Sequence, residues 1–102
     1  MYISMSRLRI GSERSDDLVD AFRRRLRLVD RAEGFIDLQV WRSDRDPGEI
    51  LMVSRWRERC DFTAYMRSEA HRRSHDRIGA ELQAAIKLER LEHLHGYEVV
   101  AD

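Results

Sequence analysis

Apolar positions along the chain recur with two periods, which predict strands and helices in a definite order. A period of two, typical of strands with one buried face, predicts four strands. A period near 3.6, typical of amphipathic helices, predicts helices between the first and second strands and between the third and fourth. The predicted strands span residues 2–10, 35–42, 50–56 and 91–100; the predicted helices run from residue 12 or 15 to near 30, from 60 or 61 to 75, and, on weaker periodicity, through 76–90.

This order, β-α-β-β-α-(α)-β, predicts an α+β fold of the ferredoxin-like, split βαβ type with an antiparallel sheet. In that arrangement the helices cover one face of the sheet and leave the other bare in a monomer. Ile36, Leu38 and Val40 share one face of the second strand, and we assign them to the bare face. A bare apolar face of this size requires a partner, so we predict a homodimer in which the two sheets face each other.

Composition narrows the functional classes. The chain has 102 residues, with 19 Lys and Arg against 19 Asp and Glu, which fits one domain over residues 1–102 and gives no general attraction to nucleic acid or to a membrane. The single Cys60 excludes an internal disulfide and suits a reducing cytoplasm. The sequence has no long apolar segment, no signal-peptide pattern and no glycine-rich dinucleotide fingerprint, so we expect no flavin or NAD site of its own.

Most of the residues that could form a functional site lie in residues 54–75. This segment joins a predicted strand to a helix that carries an aromatic residue, and it ends at His75. A neutral imidazole of His75 that faces an apolar pocket is the minimum needed to hold a haem iron. The alternative is an exposed helix histidine that pairs locally with Asp76. His71 and His75 stand at i and i+4, a spacing that binds zinc only with further ligands. His93 and His95 supply such ligands only if the two elements meet.

Five residues are spaced along the chain in a distinctive way: Trp56, Phe62, Tyr65, Ser68 and His75. This spacing resembles that of the antibiotic biosynthesis monooxygenase superfamily, also called the dimeric α/β barrels. Three segments also resemble the haem-degrading branch of that superfamily. Residues 1–10 resemble its first strand, residues 33–35 the start of its second strand, and residues 95–100 its last strand. The resemblance implies a small dimeric monooxygenase for which haem is both cofactor and substrate. It also implies oxidative opening of the porphyrin ring, iron release and an external electron donor.

The same resemblance implies roles for individual residues. In the haem-degrading branch a histidine binds the iron, a tryptophan ten residues earlier helps distort the porphyrin, and an asparagine on the first strand hydrogen-bonds near the bound oxygen. His75 matches the histidine and becomes the metal ligand. Tyr65 stands at the tryptophan position and Ser6 at the asparagine position, which makes them the candidate catalytic residues. Phe22 and Leu26, on the stripe of the first helix, are expected to line the haem pocket.

Each of these assignments has a simpler alternative. Tyr65 could equally be a core residue, and Ser6 an ordinary serine of a strand. The arginine run at 23–25 could be a solvated face rather than a site for haem propionates. Trp41 and Trp56 are expected in core and dimer packing. Two other functions stay open: a cofactor-independent monooxygenase of a phenol or quinol, in which Tyr65, Ser6 and His75 orient substrate or move protons, and a non-catalytic module for haem or another small apolar ligand. Residues 76–90 form either a helix or a mobile lid.

Overall fold

A computed structural model of the chain describes residues 1–76 and 78–101, with the backbone alone described for 87–95. Within these residues, four strands and four helices follow one another, with two short 3-10 turns at Ser12–Arg14 and Leu28–Arg31. Their order is the one expected, except that the helix predicted from residue 60 or 61 to 75 is divided into two. The elements are β1 (Tyr2–Ile10), α1 (Ser15–Arg23), β2 (Phe35–Arg42), β3 (Glu49–Trp56), α2 (Arg59–Met66), α3 (Glu69–Asp76), α4 (Ala80–Ala85) and β4 (Ile86–Glu98).

The strands form one antiparallel sheet in the order β2-β3-β1-β4. The two central strands are therefore β1 and β3, and the first and last strands of the chain are neighbours. The predicted α+β, ferredoxin-like fold is confirmed.

Strand register fixes which side chains face the helices. In the β1–β3 pair, Tyr2 lies opposite Trp56 and Leu8 opposite Ile50, so the even-numbered residues of both strands share one face. Leu8 and Ile50 are buried in a core cluster with Leu18 of α1. The even-numbered face is therefore the inner face, which the helices cover.

The face predicted for β2 is wrong, because the strand carries a bulge near its start. Its pairing with β3 shifts register between Phe35 and Asp37, and Phe35 packs on Trp56 with ring centroids 5.3 Å apart. Beyond the bulge, Leu38 lines the space beneath the helices and Val40 packs on the core cluster. Both residues thus belong to the inner face. A bulge inserts one residue into the alternation, and the sequence pattern does not reveal it.

The outer face of the sheet is nevertheless apolar, with different residues from those predicted. Trp41 and Tyr97 are 45% and 46% exposed on it. An ion pair of Asp37 with Arg55 stands beside this apolar area, and its hydrogen bond holds the pKa of the Asp37 carboxyl below the ordinary value. Among the described side chains of the four strands, the apolar members of the outer face are Ile3, Met5, Trp41, Leu51, Val53 and Tyr97.

Helix α1 is shorter than predicted. It begins at Ser15, whose hydroxyl donates to the carbonyl of Pro47 (2.5 Å) rather than capping the helix. It ends at Arg23, not near Asp30, and the chain then turns through Arg27, which has a left-handed φ of 57°. Apolar spacing alone did not reveal this turn, because the residues beyond it keep the helical period.

The C-terminal part also differs from the sequence prediction. Among residues 78–90 only Ala80–Ala85 is helical, and β4 begins at Ile86, ahead of the predicted start at Leu91. The spacing of Ile78, Leu82, Ala85 and Ile86 is helical and favoured a helix, although Ile86 in fact begins the strand. A helix therefore lies in this segment, but it covers Ala80–Ala85 and not all of 76–90.

Candidate functional site

A cavity of about 280 Å³ lies between the inner face of the sheet and the helices. Its floor comes from β1 and β3, its roof from α2 and α3, and its side from α1 with Arg25 and residues 27–29. The volume is close to the lower end of the range usual for small-molecule sites, about 300–1,000 Å³. The fold therefore provides a partly enclosed, mainly apolar site beneath the helices.

Trp56 is a buried part of the cavity wall. It is 1% exposed, and its ring meets Phe62 at 5.8 Å and Tyr65 at 5.6 Å between centroids. Its indole N–H donates to Ser54 Oγ at 2.9 Å in a buried hydrogen bond. Aromatic packing and this hydrogen bond together hold the indole in one orientation.

Tyr65 lines the cavity and also packs in the aromatic cluster. Its position therefore fits both the predicted site role and the alternative of a core residue. Partial burial raises the pKa of the Tyr65 phenol above the ordinary value, and the nearby Ser74 side chain offsets part of that rise. The phenol is therefore protonated at neutral pH and able to donate. Ser68 joins α2 to α3 behind it, since Ser68 Oγ donates to the Tyr65 carbonyl (2.6 Å) and accepts from the His71 amide (3.2 Å).

The burial of this phenol leads to a pH prediction. Below about pH 10, the ordinary tyrosine pKa, the stabilising contribution of the protonated phenol is fully present, and it is lost as pH rises through the raised pKa. We expect the free energy of unfolding of Tyr65→Phe, measured in urea from about pH 9 to 11.5, to fall less steeply than that of the wild type. Tyr97→Phe, on the exposed outer face, is the matched control. Equal slopes for Tyr65→Phe and wild type would contradict a buried phenol.

His71 and His75 stand together on the wall of the cavity. Their rings meet edge to face with centroids 4.5 Å apart, and His71 also contacts the Tyr65 ring at 5.4 Å. His75 is exposed on its outer side and thus lies at the cavity mouth. Within the described side chains, no group of three His, Cys, Asp or Glu forms a metal site. The predicted contributions of His93 and His95 lie outside the described residues.

The remaining predicted site residues divide into two groups. Ser6 is 8% exposed on the cavity floor, and Phe22 lines the side of the cavity from α1. Leu26 does not line it; this prediction is wrong, because α1 ends at Arg23 and the turn that follows leaves Leu26 52% exposed. Cys60 is an exposed free thiol away from the lining.

Two arginines lie at the mouth: Arg25, from the basic run predicted at 23–25, and Arg27, which lies beyond that run. Arg25 and Arg27 both line the cavity, and both pair with Asp30, at 3.1 and 3.5 Å. Arg23 faces a shallow cleft beside the mouth. Sequence reasoning missed Arg27, because a continuous helix would have turned it to solvent. A guanidinium group suits a carboxylate, so this rim can bind an acidic substituent of a ligand.

Sequence reasoning also missed two buried serines, Ser4 and Ser54, on the cavity floor. The signal for Ser4 was present, since it shares the strand face of Ser6 and Leu8. Ser54 gave no comparable signal, because its position depends on the β1–β3 register.

With this geometry established, comparison with known families is informative. A model of the family described as antibiotic biosynthesis monooxygenase matches residues 1–77. The chain belongs to this family. Comparison with curated protein sequences gives no match. Members of the antibiotic biosynthesis monooxygenase family are monooxygenases, and the cavity just described occupies the interior of the matched segment together with Ile78, Gln83 and Ile86.

Two solved structures illustrate the range within the fold. The haem-degrader MhuD from Mycobacterium tuberculosis, with two haems bound in its active site, is similar with a TM-score of 0.77 and 19% identity, over 100% of this chain and 98% of that chain. A mutant of SnoaB from Streptomyces nogalater, a cofactor-independent oxygenase, is similar with a TM-score of 0.75 and 13% identity, over 99% of this chain and 94% of that chain. At these identities the likeness is one of fold.

Across residues 1–76 and 78–101, none of the helices has the length and apolar character needed to cross a membrane.

Proposed function

We propose that this family member binds haem in the cavity beneath its helices, with His75 as the iron ligand, and opens the porphyrin ring oxidatively with release of iron. The observation that carries the proposal is the position of the His75 imidazole on the wall of an apolar cavity whose floor carries buried serines. An imidazole facing an apolar, partly enclosed space is the usual setting of a haem ligand.

The donor set fits haem. His75 supplies a nitrogen ligand at the mouth, the walls are apolar, and Arg25 and Arg27 stand on the rim. A haem is larger than 280 Å³, so part of it must project from the mouth. We infer that its carboxylate edge points outward, where the two guanidinium groups can pair with it.

Haem, when bound, supplies the chemistry of oxygen activation, and the side chains control its surroundings. His75 holds the iron, and the apolar walls exclude bulk water, which keeps the local dielectric low. Tyr65 keeps its proton at neutral pH, because the ordinary pKa of a tyrosine is about 10 and partial burial raises the pKa of this phenol further, and it can donate a hydrogen bond toward the ligand. Ser6 offers a shorter donor from the floor than an asparagine would. Electrons come from an external donor.

Haem titration tests the iron ligand directly. Wild type is expected to give a saturable Soret band, and His75→Ala is expected to weaken haem binding by at least about tenfold and to change the Soret position, since the iron loses its protein ligand. His71→Ala is the matched control, because it removes the neighbouring imidazole on the same cavity wall and should leave the Soret position unchanged.

Three results would contradict this proposal in whole or in part. The absence of saturable haem binding by wild type would exclude haem as the ligand. Identical spectra for wild type and His75→Ala would show that a residue other than His75 binds the iron. If haem binds through His75 but persists with reductant and O₂, the protein stores or transfers haem.

A second candidate function is the oxygenation of a phenol or quinol without a cofactor. The small cavity volume of about 280 Å³ favours it, since a bicyclic aromatic fits inside the cavity without projecting. Tyr65, Ser6 and His75 would then orient the substrate or move protons. Oxygen consumption with a quinol in haem-free protein separates the two functions, because the haem proposal expects none.

We also propose that the protein is a homodimer joined through the outer sheet faces, and that it works in the cytoplasm. The apolar outer face supports the first. The second rests on Cys60, an exposed free thiol, which suits a reducing compartment.

A further inference from the structure

Two buried hydroxyls on the cavity floor lack a hydrogen-bond acceptor among the residues that the structure describes. Ser4 is 4% exposed and Ser54 is 9% exposed, and both line the cavity. Ser54 accepts from Trp56, but neither serine donates to a described group. Buried polar groups in proteins are almost always hydrogen-bonded, and leaving one unpaired is unfavourable. A ligand in the cavity is the partner that both can reach.

The two hydroxyls are placed to meet one atom. Ser4 and Ser54 are direct partners in the β1–β3 register, and both lie on the inner face. Side chains directly opposite each other in an antiparallel pair have Cβ atoms about 4.5–5.5 Å apart. One ligand oxygen above this pair can therefore accept from both O–H groups.

Trp56 orients the Ser54 hydroxyl, one of the two donors. Its indole N–H occupies an acceptor site of Ser54 Oγ at 2.9 Å, which leaves the Ser54 O–H to donate elsewhere. A hydroxyl that accepts one hydrogen bond becomes a better donor in the next, because the chain of hydrogen bonds polarises it. The aromatic cluster around Trp56 fixes this chain in position.

We propose that Ser4 and Ser54 form a subsite for one hydrogen-bond-accepting oxygen on an aromatic ligand, such as a ketone, quinone or phenolate oxygen. The subsite selects ligands by this oxygen, and the apolar walls bind the ring that carries it. The inference goes beyond the proposed function and does not depend on iron at His75.

A ketone and its parent hydrocarbon provide a direct test. By calorimetry, wild type is expected to bind 1-tetralone more tightly than tetralin, which has the same ring system without the oxygen. Ser4→Ala should lower the affinity for 1-tetralone by about three- to tenfold, the usual worth of one neutral hydrogen bond. It should leave the affinity for tetralin equal or higher, since tetralin no longer buries an unpaired hydroxyl.

Matched variants keep the test specific. Ser4→Thr retains a hydroxyl on a strand-compatible side chain and should restore the preference for the ketone, whereas Ser12→Ala removes an exposed hydroxyl and should change nothing. His75→Ala should keep the full preference, so failure of haem binding and failure of this subsite are distinguishable. The carbonyl stretch of bound 1-tetralone gives a second readout: in wild type it should lie below its frequency in hexane, even if Ser4→Ala does not fold.

The proposal is overturned if wild type shows no preference for 1-tetralone over tetralin. It is equally overturned if Ser4→Ala folds and keeps the wild-type preference, or if the bound ketone vibrates at its hexane frequency.

Discussion

Replacement of Trp56 by alanine is expected to lower the free energy of unfolding by about 3–5 kcal/mol. Trp56 is 1% exposed and makes ring contacts with Phe35, Phe62 and Tyr65, so truncation leaves a large cavity between sheet and helices. It also leaves the Ser54 hydroxyl without the indole donor. A domain of this size has a total stability of about 5–15 kcal/mol, so the variant is expected to be marginally folded.

Urea unfolding followed by far-ultraviolet circular dichroism measures this loss. Trp41→Ala is the matched control, because Trp41 is the other tryptophan of the chain and is 45% exposed on the outer face. Its loss should cost about 1 kcal/mol or less within one protomer, and any further loss should depend on protein concentration. A cost below about 1 kcal/mol for Trp56→Ala would contradict its place at the centre of the core.

The sequence predicted those parts of the fold that depend on local periodicity. It identified the order of elements and the bounds of β1, where burial alternates without interruption from Ile3 to Ile10. It failed where one residue changes the geometry without changing the pattern. The bulge between Phe35 and Asp37 moved Leu38 and Val40 to the inner face, and α1 ended at Arg23, ahead of the left-handed turn at Arg27, although the apolar spacing continues.

The site was predictable to a similar extent and for similar reasons. Tyr65 and His75 were identified because they match the tryptophan and histidine positions of the haem-degrading branch that the chain resembles, and the structure brings both to the cavity. Leu26 was misplaced because its position depended on a helix that had already ended. Ser54 required the pairing of two strands distant in sequence, which is a tertiary property that no local pattern encodes.

The apolar outer face leads to the second large effect. Met5→Asp is expected to raise the dissociation constant of the homodimer by roughly two to four orders of magnitude. Met5 lies opposite Val53 on the two central strands of the sheet, so a face-to-face dimer buries it near its centre. In a symmetric interface both protomers carry the new carboxylate, and an unpaired buried charge costs about 3–5 kcal/mol.

Sedimentation or light scattering over a concentration series measures this shift, with wild type expected to be dimeric at micromolar concentration. Ala64→Asp adds the same charge to the exposed side of α2 and should leave the dimer intact, and Met5→Leu should also preserve it. Because Met5 and the cavity lie on opposite faces of the sheet, the Met5→Asp monomer should still bind ligand if one protomer supplies the whole site. A monomeric wild type, or unchanged association in Met5→Asp, would show that the outer face is not the dimer interface, and its exposed Trp41 and Tyr97 would then require a different partner.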